Sequence, residues 1–111
     1  MLFASIDIGS NAVRLFFANV FETDGVPRIE KASLIRIPIR LGDDVFKTGT
    51  ISENRIENLL KTLKAFNMLI DVYKPVDYIA CATSAMREAE NNIHVLERIK
   101  KETGILVKVI D

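Results

Sequence analysis

The segment that decides the fold reads Ser5-Ile6-Asp7-Ile8-Gly9-Ser10-Asn11-Ala12-Val13-Arg14. An aliphatic stretch before the turn contains a single carboxylate, Asp7, and a second apolar stretch starts at Ala12. Between them, Gly9 tolerates the positive φ that a tight turn needs, and the Ser and Asn side chains hydrogen-bond locally. The segment therefore predicts a β-hairpin with a carboxylate beside its turn.

The turn also has the composition of an anion-binding site. Gly9, Ser10 and Asn11 present consecutive backbone amides, and such amides can form an anion-binding nest. Asp7, two residues upstream, supplies an oxygen ligand that suits Mg²⁺, directly or through water. Turn chemistry alone explains an Asp and a Ser here equally well. The pattern leaves a phosphate-binding turn and a purely structural hairpin open.

A second polar segment follows a later apolar strand and reads Ala82-Thr83-Ser84-Ala85-Met86-Arg87-Glu88-Ala89-Glu90-Asn91-Asn92. Together, DIGSNAVRL and ATSAMREAENN resemble the exopolyphosphatase and guanosine pentaphosphate phosphatase family, a branch of the actin, sugar-kinase and Hsp70 superfamily. Between them, Arg40-Leu41-Gly42 and Thr48-Gly49-Thr50-Ile51-Ser52 are similar to the family's loop before its first long helix. The resemblance covers the whole chain but only the first part of a family member.

The resemblance implies a metal-assisted phosphohydrolase and gives individual residues roles. Asp7 would hold Mg²⁺, with Mn²⁺ or K⁺ as alternatives, while Gly9, Ser10 and Asn11 cradle the terminal phosphate. Arg87 would clamp phosphate oxygens, for which a planar guanidinium is well suited. Without the motif, pairing with a neighbouring glutamate is the simpler explanation of Arg87.

Three further residues are candidate phosphate ligands: Arg14, Thr83 and Ser84. Two-residue alternation places Arg14 on a strand face close to the turn, although a solvated edge position explains it equally well. Thr83 and Ser84 carry hydroxyl donors, and helix capping also explains Ser84. No residue of this chain is a candidate general base, because the family's glutamate lies in a Gly-x-Glu-Glu-Ala segment expected just after Asp111.

Composition narrows the class of protein. The chain has 111 residues, 49% of them hydrophobic, which suits one domain with an ample core. Lys plus Arg equals Asp plus Glu at 15 each, which argues against broad electrostatic capture of nucleic acid or anionic membrane. A single cysteine and no apolar run of roughly 18 to 20 residues favour a soluble, cytoplasmic protein.

The periodicity predicts an α/β fold with a mixed five-stranded sheet in the order β1-β2-β3-α-β4-α-β5, and the resemblance implies that this is a ribonuclease-H-like half of the superfamily. The first two strands are dense in apolar residues, as strands buried on both faces tend to be. Turn and helix signals delimit the elements: strands over about 2–8, 12–21 and 27–39, a loop over 40–50, a helix to about 74, a strand over 76–82, two helices ending at Gly104, and a strand over 105–110.

We expect residues 1–111 to be a single, incomplete N-terminal domain of a longer enzyme, truncated after β5. Its substrate would be polyphosphate or guanosine pentaphosphate, and its exposed sheet is expected to form a homodimer. With the general base missing, hydrolysis by these residues alone is expected to be negligible. The alternatives are an ATP-dependent sugar or acetate kinase of the same superfamily, and a non-catalytic fragment that binds phosphate or a partner protein.

Overall fold

The structure is a computed structural model that describes residues 1–110, so Asp111 lies outside the described residues. The elements in chain order are β1 (Leu2–Ile8), β2 (Val13–Thr23), β3 (Val26–Ile37), α1 (Leu41–Thr48), α2 (Glu53–Tyr73), β4 (Asp77–Ala82), α3 (Ser84–Glu88), α4 (Asn92–Thr103) and β5 (Val107–Val109). The five strands form one sheet in the spatial order β3-β2-β1-β4-β5. The β1–β2 and β2–β3 pairs are antiparallel, and the β1–β4 and β4–β5 pairs are parallel. The predicted mixed sheet is confirmed.

The helices pack against one face of the sheet. In β1 that face carries Ala4, Ile6 and Ile8, all of which are buried in the same apolar cluster as the helix side chains. The alternate residues face away from the helices, and Phe3 stays 37% exposed. The expectation that the first two strands are buried on both faces is therefore wrong, because within residues 1–110 the helical cover lies on one face.

The long helix α2 supplies most of the helical part of the core. Its buried residues recur at helical spacing and are Ile56, Leu59, Leu60, Leu63 and Phe66. The helix begins after Ser52, whose hydroxyl accepts from the Arg55 amide at 3.4 Å. Ser52 is thus the N-cap of α2.

Residues 40–50 differ from the expected loop, because Leu41–Thr48 forms helix α1. Leu41 and Val45 lie one helical turn apart and are both buried. The helix begins after Arg40, which adopts the left-handed conformation at φ 61°. Its Gly-, Asp- and Lys-rich composition is typical of a loop, and only burial against the sheet and neighbouring helices makes this short segment helical.

Ionic contacts join α4 to α2. Arg98 donates to Glu57 at 2.7 Å, to Glu53 at 2.5 Å and to Glu102 at 3.0 Å. The hydrogen bond from Arg98 is the main cause that lowers the pKa of Glu57. No helix within residues 1–110 combines the length and the apolar character needed to cross a membrane.

Candidate functional site

The two polar segments meet at the carboxyl edge of the parallel strands. Asp7 in β1 lies beside Cys81 in β4, one residue before each strand ends. The Thr83 amide donates to the Ile8 carbonyl at 3.2 Å, which continues the pairing past the strand ends. The β1–β2 turn and the start of α3 are therefore adjacent, at the edge where open α/β sheets commonly bind ligands.

The Ser10 hydroxyl connects these two segments directly. Its oxygen lies 2.8 Å from the Ser84 hydroxyl oxygen and accepts from the Ala85 amide at 3.2 Å. Ser10 and Ser84, both predicted phosphate ligands, thus contact each other. The Thr83 hydroxyl makes no hydrogen bond within residues 1–110 and gives no side-chain cap to α3.

The backbone of the turn differs from the expected nest. The Gly9 amide donates to the Ala12 carbonyl at 3.0 Å, so it is engaged within the turn. Gly9 also has no positive φ; the reason for glycine is that a Cβ there would lie 3.1 Å from the Ala12 oxygen. The expected conformational role of Gly9 is wrong. The amides of Ser10 and Asn11 have no acceptor within residues 1–110.

The start of helix α1 also contacts the turn, and sequence reasoning did not predict this contact. The Gly42 amide donates to the Ser10 carbonyl at 2.8 Å, and the Arg40 amide donates to the Asn11 carbonyl at 2.9 Å. A Cβ on Gly42 would lie 3.1 Å from the Ser10 Cβ, so any larger residue would push the turn away. The Arg40-Leu41-Gly42 motif was the sequence feature from which this contact could have been predicted.

Arg55 in turn holds α1 in place. Its guanidinium donates to Asp44 at 2.8 Å and to the Ile39 carbonyl at 2.7 Å. Burial raises the pKa of the Asp44 carboxyl, but hydrogen bonds from Ser52 and Arg55 outweigh that effect and the net pKa is lowered. Asp44 is therefore held in its ionised form as the anchor between α1 and α2.

Asn91 makes a second bridge that sequence reasoning missed. Its side-chain amide donates to the Ile51 carbonyl and accepts from the Ile51 amide, both at 3.0 Å. Asn91 occupies the N-cap position of α4, yet its side chain makes no cap bond. Asn91 instead joins the loop between α1 and α2 to the start of α4, which supports α3 behind the site.

Asp7 and Arg14 form the polar end of the uncovered sheet face. The Arg14 guanidinium lies 4.0 Å from the Asp7 carboxylate, with the two side chains 50% and 46% exposed. They line a shallow depression of about 330 Å³ together with Ser5, Phe16 and Leu34. Because both charges face solvent, this pair contributes little to stability and stays available to a ligand.

The donor set allows only one kind of metal site around Asp7. Within residues 1–110 no three His, Cys, Asp or Glu side chains come together to hold a metal ion. Asp7 is a single, half-exposed carboxylate with a cation beside it. Mg²⁺ is often held by one or two carboxylates plus substrate phosphates and water, and Asp7 fits that mode rather than a complete protein cage.

Arg87 lies at the same edge of the sheet but is already engaged. Its guanidinium donates to the Ile110 carbonyl at 2.8 Å and to Glu88 at 3.4 Å. The Ile110 amide donates to the Ala82 carbonyl at 2.9 Å, so this contact places Arg87 over the ends of β4 and β5. Arg87 is 35% exposed at its side chain, which leaves part of the guanidinium open to a ligand.

Comparisons with known proteins agree with the resemblance drawn from the two polar segments. The Ppx/GppA phosphatase family matches residues 25–111. Over 110 residues the chain is 36% identical to a bifunctional 3-dehydroquinate synthase/phosphatase of Fusobacterium nucleatum, and spans 17% of that protein. Over 105 residues it is 30% identical to exopolyphosphatase 1 of Mycobacterium tuberculosis, and spans 30% of it.

Solved structures agree over the full length of the chain. A Ppx/GppA family member from Aquifex aeolicus is 41% identical with a TM-score of 0.89, covering 99% of this chain and 35% of that one. An exopolyphosphatase from Cytophaga hutchinsonii is 32% identical with a TM-score of 0.87, and 34% of it is covered. The chain thus spans about a third of the length of these relatives. With its sheet order, polar turn and α3 junction, this chain belongs to the Ppx/GppA phosphatase family.

Proposed function

We propose that this chain forms the phosphate-binding half of a site that releases orthophosphate from the end of polyphosphate or from guanosine pentaphosphate. The observation that carries the proposal is the Ser10–Ser84 contact, because it joins the two polar segments at one edge of the sheet. Family membership supports the hydrolase class, and the exopolyphosphatase relatives support a polyphosphate-type substrate. A cytoplasmic location is part of the same proposal.

The chain's own residues would neutralise and orient the terminal phosphoryl group. The Ser10 and Asn11 amides would donate to its oxygens, since both lack acceptors within residues 1–110. The guanidinium groups of Arg14 and Arg87 would stabilise the negative charge from two sides. Preorganised donors of this kind lower the barrier to phosphoryl transfer, because they stabilise charge in the transition state without reorganising.

Asp7 would hold Mg²⁺ jointly with phosphate oxygens and water. When bound there, Mg²⁺ would neutralise negative charge on the phosphate groups. The nearby Arg14 guanidinium would then exchange its contact with Asp7 for one with phosphate. Mn²⁺ or K⁺ are the alternatives that the sequence leaves open.

The reaction itself is attack of water on the terminal phosphorus. A new P–O bond forms to the water oxygen, the bridging P–O bond breaks, and the shortened chain leaves with the bonding electrons. The water proton needs an acceptor, and no residue of this chain is assigned that role. Residues 1–111 would therefore bind the substrate without hydrolysing it at an appreciable rate.

Isothermal titration calorimetry of tripolyphosphate, with and without Mg²⁺, tests the proposal. We expect saturable binding that Arg87→Gln weakens about tenfold, while Arg87→Lys keeps part of the affinity. Lys101→Gln removes the same charge on exposed α4 and should leave binding unchanged. ATP binding without tripolyphosphate binding would favour the kinase alternative and contradict the proposal.

A further inference from the structure

We propose that Arg36, which lies opposite Arg14, binds a non-terminal phosphate group, so that the site prefers an extended polyanion over a short one. This inference rests on the proposed function and adds a specificity residue to it. Neither polar motif contains Arg36, which lies near the end of β3 at the edge of the sheet.

The strand register places three charged residues in one row. Asp7 lies opposite Arg14, and Arg14 lies opposite Arg36. Directly opposite residues of antiparallel strands project from the same face of a sheet, about 5 Å apart at Cβ. The row therefore crosses β1, β2 and β3 on the face that the helices leave uncovered.

The charges in this row are unbalanced. Like charges directly opposite each other destabilise a pair of strands. Within residues 1–110 the Arg14 guanidinium has one carboxylate within 4.0 Å, that of Asp7, and the Arg36 guanidinium has none. A bound anion would remove this repulsion, so the row is complementary to a negatively charged ligand.

The position of the row fits a chain-like ligand. Arg14 follows the turn directly, and Arg36 lies two residues beyond Leu34, which lines the depression beside Asp7 and Arg14. A ligand with its terminal phosphate at the Ser10 and Asn11 amides and at Arg14 would pass its next phosphate group over Arg36. Orthophosphate is too short to reach both the turn and Arg36, whereas a polyphosphate carries anionic groups in series.

A contact that Arg36 makes equally with the bound substrate and with the transition state lowers KM without raising kcat. Arg36 should therefore affect the affinity for longer chains and spare the affinity for orthophosphate. Where hydrolysis is measured, loss of the Arg36 side chain should raise KM for long polyphosphate and leave kcat nearly unchanged.

The test compares Arg36→Gln, Arg36→Lys and a matched control, Arg28→Gln. Arg28 lies on the same strand, eight residues or about 27 Å away, in the exposed outer part of the hairpin. Titration calorimetry with orthophosphate, tripolyphosphate and a long polyphosphate gives the three affinities. Thermal unfolding without ligand gives a second measurement.

We expect Arg36→Gln to weaken long-chain polyphosphate binding about five- to tenfold and to leave orthophosphate binding unchanged. Arg36→Lys should keep much of the affinity, and Arg28→Gln all of it. Without ligand, Arg36→Gln should raise Tm by about 2 °C at low salt, since it relieves repulsion from Arg14.

Equal losses in Arg36→Gln and Arg28→Gln would indicate non-specific attraction and overturn the inference. An unchanged long-chain affinity in Arg36→Gln, with binding still dependent on Arg87, would overturn it while the proposed function stands. If the wild-type chain binds no polyphosphate, both this inference and the proposed function are wrong.

Discussion

The hydroxyl oxygens of Ser10 and Ser84 lie 2.8 Å apart although 74 residues separate them in the chain. Because Ser10 also accepts from the Ala85 amide, Ser10→Ala removes two hydrogen bonds and Ser84→Ala one. We expect Ser10→Ala to lower the free energy of unfolding by about 1–3 kcal/mol and Ser84→Ala by about half as much. Urea unfolding measures both, and equal losses would contradict the geometry.

Gly42 lies too close to the turn to accept a side chain. A Cβ there would lie 2.9 Å from the Phe46 ring and 3.2 Å from the Ser10 oxygen. Gly42→Ala should cost about 1–3 kcal/mol of unfolding free energy and weaken phosphate binding, because the turn must move. The double variant with Phe46→Ala removes the ring contact alone. Full rescue by that variant would show that the turn does not limit this position.

Asn91 should be more sensitive to substitution than its neighbour. Asn91→Ala deletes both hydrogen bonds to the Ile51 peptide, each 3.0 Å long, at a cost of about 1–3 kcal/mol. Asn92→Ala loses one 3.4 Å bond to the Arg87 carbonyl and should cost clearly less. Chemical unfolding of the two variants side by side gives the comparison, and a reversed order would refute the role of Asn91.

The free energy of unfolding should fall in acid, partly because the Asp44 carboxylate becomes protonated. Its pKa in the folded chain lies below the ordinary value of 3.8, so the unfolded chain binds more protons in this range. The contribution is complete above pH 3.8 and is lost as pH falls through the lower, folded-state pKa. Asp44→Asn should destabilise the chain at pH 7 and flatten this part of the curve, whereas Asp71→Asn at an exposed position of α2 should leave stability at pH 7 nearly unchanged. Parallel pH profiles of unfolding would reveal the difference.

The isolated chain should bind phosphate chains without hydrolysing them. No residue of 1–111 is assigned as general base, and groups that act as a unit lose nearly all activity when one is missing. Orthophosphate release from polyphosphate, measured colorimetrically with Mg²⁺ present, should stay at the level of an Asp7→Ala control. Robust release that disappears in Asp7→Ala would contradict this.

Local patterns were enough to predict most of the fold. The apolar stretches before and after the Gly9-Ser10-Asn11 turn predicted the first hairpin, and the apolar residues at helical spacing from Ile56 to Phe66 predicted α2. Both patterns act over a few residues, so they are visible in the sequence. Helix α1 was missed because its two buried anchors, Leu41 and Val45, are stabilised by distant partners.

The sequence predicted which residues belong to the candidate site, but it predicted few of the contacts between them. The segments that hold Ser10 and Ser84 were both identified, and the structure brings them together. The Gly9 amide, by contrast, is used inside its own turn, and Gly42 reaches Ser10 through a helix that the sequence did not predict. The phosphate and metal roles stay predictions, as does the homodimer, which analytical ultracentrifugation would test.

The central place of β1 has a consequence for biosynthesis. The β1 strand pairs on one side with β2 and on the other with β4, whose residues leave the ribosome roughly seventy positions later. At translation rates of about 5–20 residues per second, the edge of β1 that pairs with β4 stays unpaired for on the order of 3 to 15 seconds. The nascent N-terminal meander should therefore need chaperone protection during synthesis, and slow codons between residues 40 and 76 would prolong that exposure.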